Sequence, residues 1–211
     1  MVLKLYGVAQ STCTQRVLLT LAETKAEWEL VSVDFANREH KSETYLEKQP
    51  VGKVPVLDDN GFLVYESRAI ARYLARKFEL ELMPPVTDLK GYALFEQACS
   101  IEQSYYDPNV SILVYEIIIK ARRGLGPPDD GQVASRLSQL EDTLSKYDVI
   151  LGKQAFLAGD SPTLADLFHL PFGVQVEQAH PDIFTKHPSV KRWWKALKAR
   201  KSWTELVERP V

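Results

Sequence analysis

Cysteine is scarce in this chain. Two among 211 residues, Cys13 and Cys99, are too few and too far apart for a disulfide framework, and neither stands in a cluster with metal-ligand spacing. Both are expected as free, small, buried thiols, and no metal site is expected. A marked excess of charge of either sign is missing too. The 26 Lys and Arg against 28 Asp and Glu leave a formal net charge of −2, which removes any bulk attraction to nucleic acid or to an acidic membrane surface. No apolar run approaches the roughly 18 residues of a membrane span, and the start Met1-Val2-Leu3-Lys4-Leu5-Tyr6 lacks the apolar length of a signal segment. The expectation is a cytoplasmic chain that binds neither nucleic acid nor membrane.

What is present is a change of pattern part-way along. Val2 to Tyr6 reads as a strand, and Val17, Leu18 and Leu21 follow at helical spacing. Trp28 to Phe35 alternates as a second strand, and Glu43 to Lys48 suits one or two helical turns before Gln49-Pro50-Val51-Gly52 stops them. Val54 to Leu57 and Phe62 to Tyr65 flank Asp58-Asp59-Asn60-Gly61, a turn sequence that tolerates positive φ, and so predict a hairpin. Ser67 is placed to cap a helix whose apolar face carries Ile70, Tyr73, Leu74 and Phe78. A parallel crossover joined to an antiparallel pair fits a thioredoxin-like α/β domain over residues 1–80.

Pro84-Pro85 marks 81–88 as a linker, and beyond it strands disappear. Leu89 to about Arg122 is one helical pattern with a bend expected near Pro108. Val133, Leu137, Leu140, Leu144, Tyr147 and Leu151 then recur by threes and fours. Thr163, with Asp166 three residues on, matches a capping box, and Asp166→Ala is expected to cost about 0.5–2 kcal/mol of stability. Shorter helices are expected around Val190–Ala199 and Trp203–Val207, with Trp193, Trp194 and Trp203 as anchors. Residues 89–211 therefore read as an all-α helical bundle domain.

Five segments recur in a familiar order: Leu5-Tyr6-Gly7 leading to Ser11; Glu39-His40-Lys41-Ser42; Pro50-Val51-Gly52-Lys53-Val54-Pro55; Phe62 through Glu66-Ser67-Arg68-Ala69-Ile70; and Ser161-Pro162-Thr163-Leu164-Ala165-Asp166-Leu167. Each alone is a weak signal. In this order and at these separations the chain resembles the cytosolic glutathione transferases, nearest their phi class, over almost its whole length. The resemblance implies an enzyme that activates the glutathione thiol and conjugates it to hydrophobic electrophiles. It also implies a homodimer and no metal or organic cofactor, because the nucleophile is the cosubstrate itself. Two other functions fit the same groove. One is a non-enzymatic ligand carrier; the other is a thiol transferase with peroxidase-type activity, which calls for a low-pKa cysteine where Ser11 stands.

Glutathione carries two carboxylates, an ammonium and a thiol, so its site needs anion binders at both ends and a thiolate stabiliser between them. Ser11 is the catalytic candidate. Its hydroxyl at a helix start, with Thr12 as the rival donor, would lower a thiol pKa from about 8.5 toward neutrality. At the γ-glutamyl end Ser67 can offer hydroxyl and N–H to a carboxylate and Glu66 can meet the ammonium, while Ser67 as a plain helix cap is the simpler reading of the residues alone. Val54-Pro55 matches the family's cis-proline turn, which exposes the Val54 backbone to the cysteinyl residue; from sequence alone a trans bond is the default, since only about 5–6% of such bonds are cis. His40, Lys41 and Lys53 are candidates for the glycyl carboxylate, with Lys53 standing where this class often has glutamine. Val8, Ala9 and Gln10, with Tyr105, Tyr106, Ile112, Tyr115 and Ile119, are candidates for the electrophile's walls, although the helical spacing of the last three equally describes core.

Overall fold

A computed structural model describes residues 2–208, which form two compact units. The first runs to Met83 and takes up the chain again at Arg200; the second spans Pro84–Ala199.

In the first unit β1 (Leu3–Gly7), α1 (Thr12–Ala22) and β2 (Trp28–Ser32) make the crossover. A 3-10 turn (Glu39–Lys41) and the one-turn α2 (Glu43–Leu46) lead to β3 (Val56–Asp59), β4 (Phe62–Tyr65) and α3 (Ser67–Lys77). The sheet order is β2-β1-β3-β4, with β1 parallel to β2 and antiparallel to β3. Alternation along the strands supplies two faces. Leu3, Leu5 and Leu57 bury against Val17, Leu18 and Leu21 of α1 and Ile70 and Leu74 of α3. Val33 and Val56 bury against Tyr45 of α2. Each such fully covered side chain is worth about 1.5–3 kcal/mol.

The hairpin's first strand sits two residues later than the sequence suggests, while its second, Phe62–Tyr65, has the expected bounds. Asp59 pairs with Phe62, leaving Asn60 (φ 55) and Gly61 (φ 90) as the turn. Two consecutive positive φ values are what a two-residue primed turn demands, and Asn-Gly supplies them. Val54 and Pro55 therefore precede the strand, and β2 ends at Ser32 rather than Phe35. Asp59 is buried and accepts from the Tyr73 hydroxyl (2.5 Å), from Lys77 and from Asn60 (2.9 Å). The Lys77 bond first, then Tyr73, holds its carboxyl below the usual range.

The last helix is the main departure in chain organisation. Residues from Arg200 on were expected in the helical domain, yet α11 (Lys201–Glu208) packs on α1, with Leu206 against the first unit's core. Glu23, just past α1, accepts from Arg200 Nε (3.0 Å) and Nη2 (2.8 Å) and from Ser202. Nothing in a local apolar pattern tells which core a terminal amphipathic helix will cover.

The second unit holds α4 (Leu89–Ile101), α5 (Asp107–Val114), α6 (Lys120–Arg122), α7 (Asp130–Leu151), α8 (Leu164–Leu167), α9 (Leu170–Ala179) and α10 (Pro188–Lys198); α11 of the first unit is Lys201–Glu208. The long pattern from Leu89 to Arg122 is continuous helix interrupted by two π turns, Glu102–Tyr106 and Tyr115–Ile119. The first lies directly before Pro108, which enters α5 at its opening turn, where a missing N–H is harmless. The widened turn leaves the Tyr105 carbonyl to accept from Asn109 Nδ2 (2.8 Å) and from Thr143 Oγ1 of α7 (3.2 Å). Of the α7 row, Leu140, Leu144, Tyr147 and Leu151 are buried, whereas Val133 and Leu137 are only partly covered. The helix begun at Thr163 is a single turn, and α9 follows with Pro171 near its start.

Asp166 is fully enclosed. Its Oδ2 accepts from Thr163 N (2.9 Å) and Oγ1 (3.0 Å), and its Oδ1 from Leu157 N (2.9 Å) and Trp193 Nε1 (2.9 Å). Burial pushes its carboxyl pKa up, and these bonds oppose the rise. Trp193, Trp194 and Trp203 are all buried.

Candidate active site

The loop between β1 and α1 is built to hold a helix start open. Gly7 lies under Thr14, and a Cβ there would come to 2.7 Å of Thr14 Cγ2. Thr14 Oγ1 accepts from Val8 N (3.4 Å), Ser11 N donates to Val8 O (2.9 Å), and Gln15 N closes the first helical bond on Ser11 O (2.8 Å). Ser11 is thus the N-cap, extended at φ −72° and ψ 124°, and its Oγ accepts from Thr14 N at 3.4 Å. Thr12 is the first residue of the helix and does not cap it. A hydroxyl that accepts keeps its own hydrogen for another partner. The first turn of α1 carries no acidic side chain, so the positive end of the helix dipole is not offset by a residue of that turn. Ser11 and Thr12 are partly exposed, as are Val8 and Ala9; Gln10 is exposed.

Cys13 corrects one expectation. It is partly exposed rather than buried, and its Sγ lies 3.9 Å from Arg16 Nη1. Cys99 is buried.

Along the rim of the sheet the Val54-Pro55 peptide is cis. Pro55 is buried and Val54 partly exposed, and the Tyr45 hydroxyl donates to the neighbouring Lys53 carbonyl at 2.9 Å. Burial, with Glu39 nearby as a lesser cause, pushes that tyrosine up to about 12, so it remains a donor at physiological pH. Gly52 adopts φ +64°, and a Cβ there would meet the His40 carbonyl at 2.6 Å. His40 stacks on Phe35 at 4.1 Å between ring centres. Lys41 Nζ donates to Val51 O (2.9 Å), leaving two of its three ammonium hydrogens for other acceptors, and Lys53 is exposed. The three basic residues thus stand on the 3-10 turn and on the loop that runs to Pro55.

Across the sheet, Glu66 rather than Ser67 is the N-cap of α3, at φ 69° and ψ 109°. A non-glycine residue held there costs about 1–3 kcal/mol, which the surrounding structure must offset. The Glu66 side chain makes no cap bond and is exposed; its carbonyl accepts from Ile70 N at 2.9 Å. Ser67 therefore does not cap. Its N–H precedes the first helical bond, and its hydroxyl, buried at 6% exposure, accepts from Arg16 Nη1 at 2.8 Å.

Arg16 is the residue that the sequence reading passed over. It is 1% exposed, on the same helix as Ser11, and it reaches α3. A signal was there: Val17, Leu18 and Leu19 in succession are all buried, which leaves α1 almost no polar face for a neighbouring cation to occupy.

Comparison with known proteins decides the family. The glutathione S-transferase N-terminal domain profile matches residues 1–76 and the C-terminal domain profile residues 115–201. A glutathione S-transferase of Hypomyces subiculosus, hmp2, is 47% identical over 210 residues, 98% of each chain. The chain belongs to the glutathione S-transferase family. A second family member, from Arabidopsis thaliana, is 45% identical, covering 92% of this chain and 90% of its own. Among solved structures, a Populus trichocarpa glutathione transferase superposes with a TM-score of 0.92 at 33% identity over 98% of both chains. Maize glutathione S-transferase I, solved with an atrazine–glutathione conjugate, gives 0.92 at 32% identity over 98% and 96%. These relatives place the chain in the phi class, with the thioredoxin-like and helical domains of the glutathione S-transferase fold.

Within the helical unit of this transferase, one expected wall residue is withdrawn. Tyr106 is 0% exposed, its hydroxyl donating to His169 O (3.2 Å) and its ring 4.3 Å from the His169 ring, so it is core and cannot touch a ligand. Tyr105 is 62% exposed and lines a mainly apolar cleft of about 330 Å³ with Ile101, Thr143, Lys146, Tyr147 and Ile150. Tyr115 is exposed, and Ile112 and Ile119 are partly so. Tyr115 opens the second π turn and Ile119 closes it.

Proposed function

We propose that this glutathione transferase activates its cosubstrate at the head of α1. Glutathione is taken to lie extended along Val54, pairing with the backbone that the cis-proline turn exposes. Its γ-glutamyl carboxylate goes to Ser67, its ammonium to Glu66, and its glycyl carboxylate to His40, Lys41 and Lys53. The sulfur then stands at Ser11, with Thr12 beside it. The Ser11 hydroxyl donates to the sulfur, and the unneutralised helix end favours the thiolate over the thiol. Attack on an electrophilic carbon forms the thioether and expels the leaving group, so the scheme needs no metal or organic cofactor. Val8, Ala9 and Gln10 of the first unit are the proposed contacts of a hydrophobic acceptor. A cytoplasmic homodimer, which the family resemblance implies, completes the reading; no helix among the described residues is long and apolar enough to cross a membrane.

The observation that carries the scheme is the N-cap Ser11 over a first turn without acids. Its test is a spectroscopic titration of the bound thiol. In the wild type the thiolate band should appear well below the free thiol's pKa. In Ser11→Ala the ionisation should move up by one to two units, with a drop of about 10–100-fold in kcat/KM for an activated aryl halide at neutral pH. Bound thiol that ionises no more readily than free thiol in the wild type would overturn it.

A further inference from the structure

Arg16 joins the sulfur position of the proposed groove to its γ-glutamyl end. It lies in α1, whose first turn is led by Ser11, and its guanidinium is enclosed at 1% exposure while Nη1 donates to Ser67 Oγ, 2.8 Å away at the start of α3. The same Nη1 is 3.9 Å from Cys13 Sγ. A serine hydroxyl has one hydrogen and two lone pairs. With a lone pair occupied by the guanidinium, the Ser67 proton is turned away from Arg16 and is available to an incoming acceptor. A buried full charge behind that hydroxyl adds attraction for an anion and none for a neutral group.

We infer that Arg16 is a positioning residue for the γ-glutamyl carboxylate, orienting Ser67 from behind without itself touching the ligand, and that it makes the site select peptides carrying that carboxylate. The inference rests on the groove assignment given under Proposed function. It explains why a fully buried cation sits in α1, where a lysine's single point charge would not replace a planar fork. It also separates recognition from chemistry: Arg16 acts on binding of the ground state and the transition state alike, so its loss raises KM and leaves kcat nearly unchanged.

The experiment compares glutathione with cysteinylglycine, which keeps the thiol and the glycyl carboxylate and lacks the γ-glutamyl group. The quantity read is the ratio of kcat/KM for the two thiols toward one aryl halide, measured on a single preparation so that the folded fraction cancels. Arg16→Lys and Arg16→Gln should each lower the ratio by about tenfold or more through the KM for glutathione, with the cysteinylglycine rate unchanged. Ser67→Ala should lower it comparably, Ser67→Thr should retain most of it, and Arg16→Gln combined with Ser67→Ala should fall no further than Ser67→Ala alone. A ratio that drops in Ser67→Ala and stays put in both Arg16 variants overturns the inference and leaves the groove intact. A ratio that stays put in Ser67→Ala overturns the groove assignment as well. Should the Arg16 variants not fold, the wild type answers: nitrogen-15 guanidinium signals of Arg16, identified by their change in Ser67→Ala, should shift on saturation with glutathione and not with cysteinylglycine. An equal response to both thiols overturns the inference.

Discussion

At the head of α1, Ser11 stands partly exposed over a first turn without an acidic residue; at the head of α8, Thr163 is buried, and the Asp166 carboxylate accepts from both its amide and its hydroxyl. Both helices begin with a hydroxyl residue in extended conformation. The difference lies in what answers the unpaired amides. At α8 the chain answers them itself, with a carboxylate that also binds Leu157 and Trp193 and so ties a loop and α10 to the helix start. At α1 no acidic residue of the first turn does so, and under the proposed function the place belongs to the glutathione sulfur. The same local device serves stability where it is filled and, in the proposed scheme, chemistry where it is left open.

The comparison breaks most visibly at the filled end. Asp166→Ala strands four donors in the interior and should lower unfolding free energy by about 3–5 kcal/mol, well beyond a simple cap, as read from urea midpoints. Protein that remains folded should keep its preference for glutathione over cysteinylglycine. Filling the open end is the converse. Ser11→Asp supplies an excellent cap and should hold or slightly raise the thermal midpoint, yet cut conjugation by more than about 100-fold, because a carboxylate beside the sulfur repels the thiolate. A variant that lost both together would show that the two helix starts are not used differently.

A third, smaller effect sharpens the contrast between charges that hold the fold and the uncharged hydroxyl assigned to the chemistry. Asp59 has its carboxyl lowered from an ordinary 3.8, so its ionised form contributes stability above that pH, and the contribution fades as pH falls through the lower folded value. Asp59→Asn should cost about 1–2 kcal/mol at neutral pH and flatten the acid limb of the stability curve, measured by urea midpoints between about pH 5 and pH 2. The bound thiol's titration should not move.

Much of this was legible before any coordinates. Crossover, hairpin and helix order in the first unit follow from local pattern, and Asn60-Gly61 even carried the turn, although the strand was placed two residues early because Pro55 masked where pairing begins. The long helix was visible from Leu89 to Arg122; its π turns were not, since five-residue turns leave no periodic trace against a proline that already predicts a bend. In the candidate site the small motifs stood out because they interrupt apolar patterns. Ser67 was read as a cap because serine before a helix ordinarily is one, and the partner that changes this, Arg16, lies 51 residues away. Tyr106 was misjudged for a related reason: spacing identifies a helix face but not what covers it, and His169 is a long-range neighbour.

The salt link from Glu23 to Arg200 and Ser202 has a consequence for how the molecule comes into being. During synthesis the strands and helices up to Met83 emerge before α11, so the core surface that Leu206 covers stays bare until the residues after Arg200 have been made. The half assigned to glutathione would then be completed only after the helical half has been made, and a nascent or truncated chain stopping before Arg200 would carry an exposed greasy flank.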